Sequence, residues 1–189
     1  NGLSMEVEEV SLPGFEEGEV VSQVPAAGQK VDKGSRVRVE VHRSSPIGEM
    51  SRGDQEYISQ MDGMIATLSG LDSRIRDTAT EINASIDAAG HRMKKNMRPQ
   101  CDALMGELRS LRGNAAGLTP PARFSSLHAQ FLQLVDYCIA RVEAFYAGIA
   151  AVESGGDYEA AFKAGVAPKD AYTTLFPSFV REYNALKSQ

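Results

Sequence analysis

Glu19-Val20-Val21-Ser22-Gln23-Val24-Pro25-Ala26-Ala27-Gly28, followed by Gly34-Ser35-Arg36-Val37-Arg38-Val39-Glu40-Val41, decides the architecture of the first quarter of this 189-residue chain. Apolar and charged residues alternate from Arg36 to Arg43. Val37, Val39 and Val41 therefore fall on one face of a strand, and Arg36, Arg38, Glu40 and His42 on the other. Leu3-Ser4-Met5-Glu6-Val7 alternates in the same way, and Glu19 to Val24 is rich in β-branched residues between Gly18 and Pro25. Three short antiparallel strands are predicted, with turns at Pro25-Ala26-Ala27-Gly28 and Asp32-Lys33-Gly34-Ser35, where Pro presets one φ and Gly supplies a positive one.

The pattern resembles the C-terminal half of a PASTA domain, a GxVxxQxPxxG turn followed by a short basic link and an alternating Val strand. Gly18, Val20, Gln23, Pro25, Gly28, Val31, Gly34, Val37, Val39 and Val41 carry the resemblance. It implies an extracytoplasmic bacterial module that contacts muropeptide or the stem of peptidoglycan. It also implies a Val-Pro-rich segment and a covering helix upstream of Asn1, so the chain is expected to be a piece of a longer or trimmed protein. About 43 residues is close to the size at which a lone core rarely suffices. The Val37/Val39/Val41 face is accordingly expected to pack on the helical region, on a neighbouring chain, or on the upstream segment.

The remainder changes period. Ser44-Ser45-Pro46-Ile47-Gly48 opens a link over residues 44–53, and a helical domain is expected over 54–189. From Ile58 the apolar positions run Met61, Ile65, Leu68, Ile75, Ala79, Ile82, Ile86, Ala89 and Met93, with Asp72 as the one interruption. This predicts one long amphipathic helix with Asp54 as N-cap, ending or kinking between Gly90 and Pro99. A second stripe, Cys101, Leu104, Met105, Leu108 and Leu111, is expected to stop at Gly113-Asn114. Thr119-Pro120-Pro121 opens a third helix, whose seam is Phe124, His128, Phe131, Val135, Cys138, Val142, Phe145, Ile149 and Val152, closed by Ser154-Gly155-Gly156-Asp157. A fourth helical region reads as broken by Pro168 and Pro177. The fold class is thus α+β: a small three-stranded antiparallel sheet followed by an antiparallel four-helix bundle. Eleven of the thirteen aromatics lie between Phe124 and Tyr183, so the last two helices are expected to build the rigid core, with the first more adaptable in register. The stretch Leu118-Thr119-Pro120-Pro121-Ala122-Arg123-Phe124-Ser125-Ser126-Leu127-His128-Ala129-Gln130-Phe131 also resembles a PPxxFxxLHxxF segment of helical domains in secreted and lipoprotein-type bacterial proteins.

Charge excludes one class of partner. The net −5 divides into −3 for residues 1–46 and −2 beyond, so nucleic acid, whose phosphates select clustered cations, is not an expected partner. No membrane-spanning segment occurs, and a signal or anchor is expected upstream of Asn1. One basic cluster, Arg92, Lys94, Lys95 and Arg98, could meet an anionic surface such as a teichoic polymer or lipid headgroups, or could be a solvated helix face. Cys101 and Cys138, the only cysteines, fit neither zinc spacing nor a CxxC motif; they are either one disulfide or two buried thiols.

Catalytic chemistry finds no support. His42, His91 and His128 form no HxxxH or HxxE pair, so no metal is expected, and no GxSxG, P-loop, dinucleotide or kinase motif calls for a cofactor. His128, Asp136 and Cys138 make no nucleophile set, since residues ten apart on one helix are separated by about 15 Å. The acids Glu6, Glu8, Glu9, Glu16, Glu17 and Glu19 read as solvated. Asp72 and His128 are polar residues in apolar seams; they could pair with each other, or each could find its own partner at a bundle end, on backbone or in water. Gly63, Gly70, Gly106 and Gly148 thin the helix surfaces, either for a pocket or for close packing.

The expected function is that of a non-enzymatic, cell-wall-associated binding or sensing module of the envelope, with Gln23, Arg36, Arg38 and Glu40 as ligand contacts. The competing expectations are the ectodomain fragment of a wall-sensing Ser/Thr kinase or penicillin-binding protein, and a helical spacer or adaptor. Self-association is expected through the open sheet face or the long first helix.

Overall fold

The structure, a computed structural model, describes residues 3–10, 16, 18–42, 50–87 and 92–188. Asn1, Glu17, Arg43, the link at 44–48, Ala89, Gly90 and His91 lie outside the described residues. The chain forms two compact units, Asn1–Glu49 and Met50–Gln189.

The first unit is a sheet of β1 (Ser4–Val10), β2 (Val20–Val24) and β3 (Arg36–His42) in the order β1-β3-β2. β2 pairs antiparallel with β3, but β1 pairs parallel with it, Ser4 opposite Arg36 and Val10 opposite His42. The sheet is therefore mixed, not antiparallel throughout. Alternation tells which face a side chain takes and says nothing of the direction of the neighbouring strand. A parallel pair needs a long connection, and residues 11–35, which contain β2, supply it. Gly28 and Gly34 take φ of 82° and 93° at the two turns between β2 and β3, values that an L side chain resists.

Paired residues share a face, so Met5 and Val7 lie beside Val37 and Val39, and Val20 beside Val41. Val39 is buried and Val37 and Val41 are half-buried, which withdraws the central strand from water. The flanks of the same face are open: Met5 is 71% and Val7 51% exposed.

The second unit contains α1 (Arg52–Ser85), α2 (Arg98–Ala116), a one-turn 3-10 helix (Ala122–Phe124), α3 (Ser125–Ser154), α4 (Tyr158–Lys163) and α5 (Val166–Lys187). Cross-helix bonds give the directions. Arg98, Asp102 and Arg112 of α2 meet Glu153, Tyr146 and Asp136 of α3 in descending order, so these helices are antiparallel. Arg74 and Glu81 of α1 meet Glu107 and Gln100 of α2, and Asp62 of α1 meets Tyr183 and Lys187 of α5. Tyr57 and Asp72 of α1 meet His128 and Arg141 of α3 in ascending order. The four long helices run up, down, up and down, and α3 packs on α1, α2, α4 and α5.

Several boundaries differ from the sequence reading. The N-cap of α1 is Ser51, not Asp54; Ser51 Oγ accepts from the Asp54 amide at 3.0 Å while the Asp54 carboxylate accepts from the Ser51 amide at 3.1 Å. That reciprocal box satisfies two free donors at the helix start. Ile86 and Met93 keep the helical spacing but face each other in a β-bridge, because the backbone leaves α1 after Ser85 and doubles back through Asp87 N–H to Arg92 C=O and Lys94 N–H to Ser85 C=O. α2 runs through Gly113 and Asn114 to Ala116, since an isolated Gly costs a helix only about 1 kcal/mol. The break before α5 falls at Ala164-Gly165. Pro168 lies in its first turn, where an amide proton is dispensable, and Pro177 lies inside it. Tyr172, Phe179 and Tyr183 are buried on both sides of Pro177 and hold α5 continuous.

The aromatic core joins α1, α3 and α5. Tyr57 and Phe124 have ring centroids 5.2 Å apart, Phe131 and Phe179 6.0 Å. α1 contributes Met61, Leu68, Ile75 and Ile82, each at most 1% exposed, so the first helix is as firmly seated as the last two.

Candidate functional site on the sheet

The polar face of the sheet is built by strand pleating. Ser4, Glu6 and Glu8 of β1 stand beside Arg36, Arg38 and Glu40 of β3, with Ser22 and Val24 of β2 beside Glu40 and Arg38. Arg36 lies 3.7 Å from Glu6, both largely in solvent. Ser22 Oγ donates to Glu40 at 2.6 Å. This produces a charged face in which Arg36 and Arg38 stand beside Glu6 while Glu8 lies opposite Glu40, and its cations are only loosely held, because solvent-exposed pairs are worth at most about 1 kcal/mol. From the sequence Glu6 reads only as a solvated acid, and Ser22 is not singled out. The signal for Glu6 was its place in the Leu3 to Val7 alternation.

Gln23 stands apart from Arg36, Arg38 and Glu40. It pairs with Val39 and so belongs to the apolar face, and its amide donates to the Pro25 carbonyl at 3.0 Å, bracing the turn. The irregularity between Val20 and Ser22 separates their registers. His42 closes the polar alternation of β3 and is buried.

The observation that decides the unit's kinship is the match of its sequence. Residues 1–43 match the PASTA-domain family. PASTA domains are extracytoplasmic modules that bind peptidoglycan fragments or β-lactams. The PASTA match leaves the helical unit uncharacterised. No curated protein and no solved structure matched the chain.

In the helical unit the basic cluster divides. Lys95 bonds to Glu81 at 2.8 Å and Arg98 to Glu153 at 2.6 Å, whereas Arg92 and Lys94 make no ion pair with another described residue. The cluster thus presents Arg92 and Lys94, both exposed and without an ion pair among the described residues. Cys101 and Cys138 are two free thiols, both fully buried; burial pushes them up to about 11 and about 12. Asp72 and His128 do not meet. Asp72 takes Arg141 and Arg76, and His128 Nδ1 lies 3.0 Å from the Tyr57 hydroxyl. Burial lowers the His128 pKa below its ordinary 6.5 and raises that of Tyr57 to about 12, so both groups are neutral at pH 7. Gly148 serves close packing: a Cβ there would come within 2.1 Å of the Phe162 ring. Gly63, Gly70 and Gly106 have open space above them. No described helix is long and apolar enough to cross a membrane, and no three metal-ligating side chains converge among the described residues.

Proposed function

We propose that this chain is a non-enzymatic binding protein of the bacterial cell envelope, working outside the cytoplasm, in which the PASTA region engages the peptide stem of peptidoglycan. The observation that carries this reading is the family match over residues 1–43. The exposed charged face supports it: a muropeptide stem bears free carboxylates and an amine, and Arg36 and Arg38 beside Glu6 and Glu40 offer both signs within one strand spacing. The helical unit, with its own core, carries or positions the sheet.

Sedimentation with purified insoluble peptidoglycan tests the reading. The intact chain should co-sediment, and Arg36→Glu/Arg38→Glu should release it together with deletion of residues 1–43. Retention by the deleted chain moves the activity to the helical unit. No co-sedimentation by any form sinks the proposal.

A further inference from the structure

A cavity of about 280 Å³ opens between α1, α3 and the α4–α5 junction. Its interior is apolar, with Ala79 and Ile82 from α1, Phe145 from α3, Phe162 from α4 and Val166 from α5. Asn83 and Lys169 are exposed at its rim. Arg141 completes the lining, but its guanidinium is occupied by Asp72. No acidic residue lines the cavity.

Three observations point to an occupant. Val166, at 46%, is the one large aliphatic side chain of the helical unit that is exposed among the described residues, and it lines this opening. The Phe162 wall is seated over Gly148, where a Cβ would come within 2.1 Å of the ring. The charge left over after Arg141 and Asp72 cancel is that of Lys169, whose contact with Asp170 is a loose 3.6 Å on the open surface. An apolar slot with an exposed lysine at its mouth fits an amphipathic anion. The volume is just below the usual range of small-molecule sites, about 300–1,000 Å³, which restricts the ligand to a short chain.

We propose that this cavity binds a short alkyl carboxylate, its chain lying on Ile82, Phe145 and Phe162 and its carboxylate at Lys169 and Asn83. The site is independent of the sheet and of its wall-binding role.

The test is titration of the whole chain with octanoate, octanol and octylammonium by ligand-observed NMR and thermal shift. Octanoate should bind with a Kd of roughly 0.05–2 mM, the range expected for ten non-hydrogen atoms. Octylammonium should bind more weakly. Lys169→Met should weaken octanoate by about two- to fivefold, and Ala79→Phe should abolish binding with helix content unchanged. Should Ala79→Phe fail to fold, Val166→Glu at the exposed rim blocks the slot without entering the core. The proposal is overturned if octanoate does not bind at millimolar concentration, if octylammonium binds as well, or if Lys169→Met and Val166→Glu leave the affinity unchanged.

Discussion

Arg141 of α3 donates to the carboxylate of Asp72 of α1 at 2.5 Å, and both residues are more than nine-tenths buried. Arg76, one turn along α1, holds the other carboxylate oxygen at 3.2 Å from the solvent side, and the Arg141 guanidinium lies 5.8 Å from the Tyr172 ring centroid. A buried ion pair contributes little net stability but leaves an uncompensated charge when one partner is removed. Asp72→Leu, which leaves the Arg141 guanidinium buried without its carboxylate, should therefore destabilise the helical unit by about 3 kcal/mol in urea melts, while Asp72→Leu/Arg141→Met should recover most of that loss. A double variant as unstable as the single one would show that the pair is a net stabiliser.

His128 gives stability a pH dependence. Its folded pKa is lowered by burial, so below about pH 6.5 the unfolded chain takes up a proton that the folded chain resists. Stability from this group is complete above the unfolded pKa and is lost as pH falls through the folded one, at no more than about 1.4 kcal/mol per pH unit. Thermal unfolding from about pH 7.5 to 5.5 should show a falling Tm, and His128→Gln should flatten that slope. An identical slope in the variant would assign the dependence to other groups.

Two glycines of the helical unit should respond in opposite directions. Gly148→Ala forces the Phe162 ring away and should cost about 1–3 kcal/mol, partly recovered by Phe162→Leu. Gly106→Ala, in α2 with open space above it, should stabilise by up to about 1 kcal/mol. Chemical denaturation of the three variants decides both.

The thiols provide a further check on the core. With pKa values raised to about 11 and about 12, Cys101 and Cys138 should react with a disulfide reagent only on the unfolding timescale in the native protein. Both should titrate at once in denaturant. A count of zero under non-reducing denaturation would mean that they are bridged.

Much of this was legible from residue spacing, and the failures share a cause. The Val37/Val39/Val41 alternation located β3, and the seam from Phe124 to Val152 located α3, because burial imposes those periods. Strand direction and helix ends are decided by hydrogen bonds that periodicity does not record. Hence β1 runs parallel to β3, Ile86 leaves the helix to face Met93, and α2 passes Gly113. The Asp72–Arg141 pair was half-visible. Arg141 lies three residues after Cys138 and four before Phe145, on the seam itself, and a cation there was the natural complement to the acid in α1. The division of Gln23 from Arg36 and Arg38 could not be read, because the irregularity beside Val21 shifts the face that each β2 residue takes.

The strand order of the sheet also sets an order of events. Among the described residues β1 and β2 form no ladder with each other, and each pairs with β3, the last of the three to leave the ribosome. β1 reaches β3 only across residues 11–35, whereas β2 reaches it across residues 25–35, the shorter loop to close. Chaperone capture of nascent chains halted before β3 should therefore be strong, and should fall sharply once it has emerged.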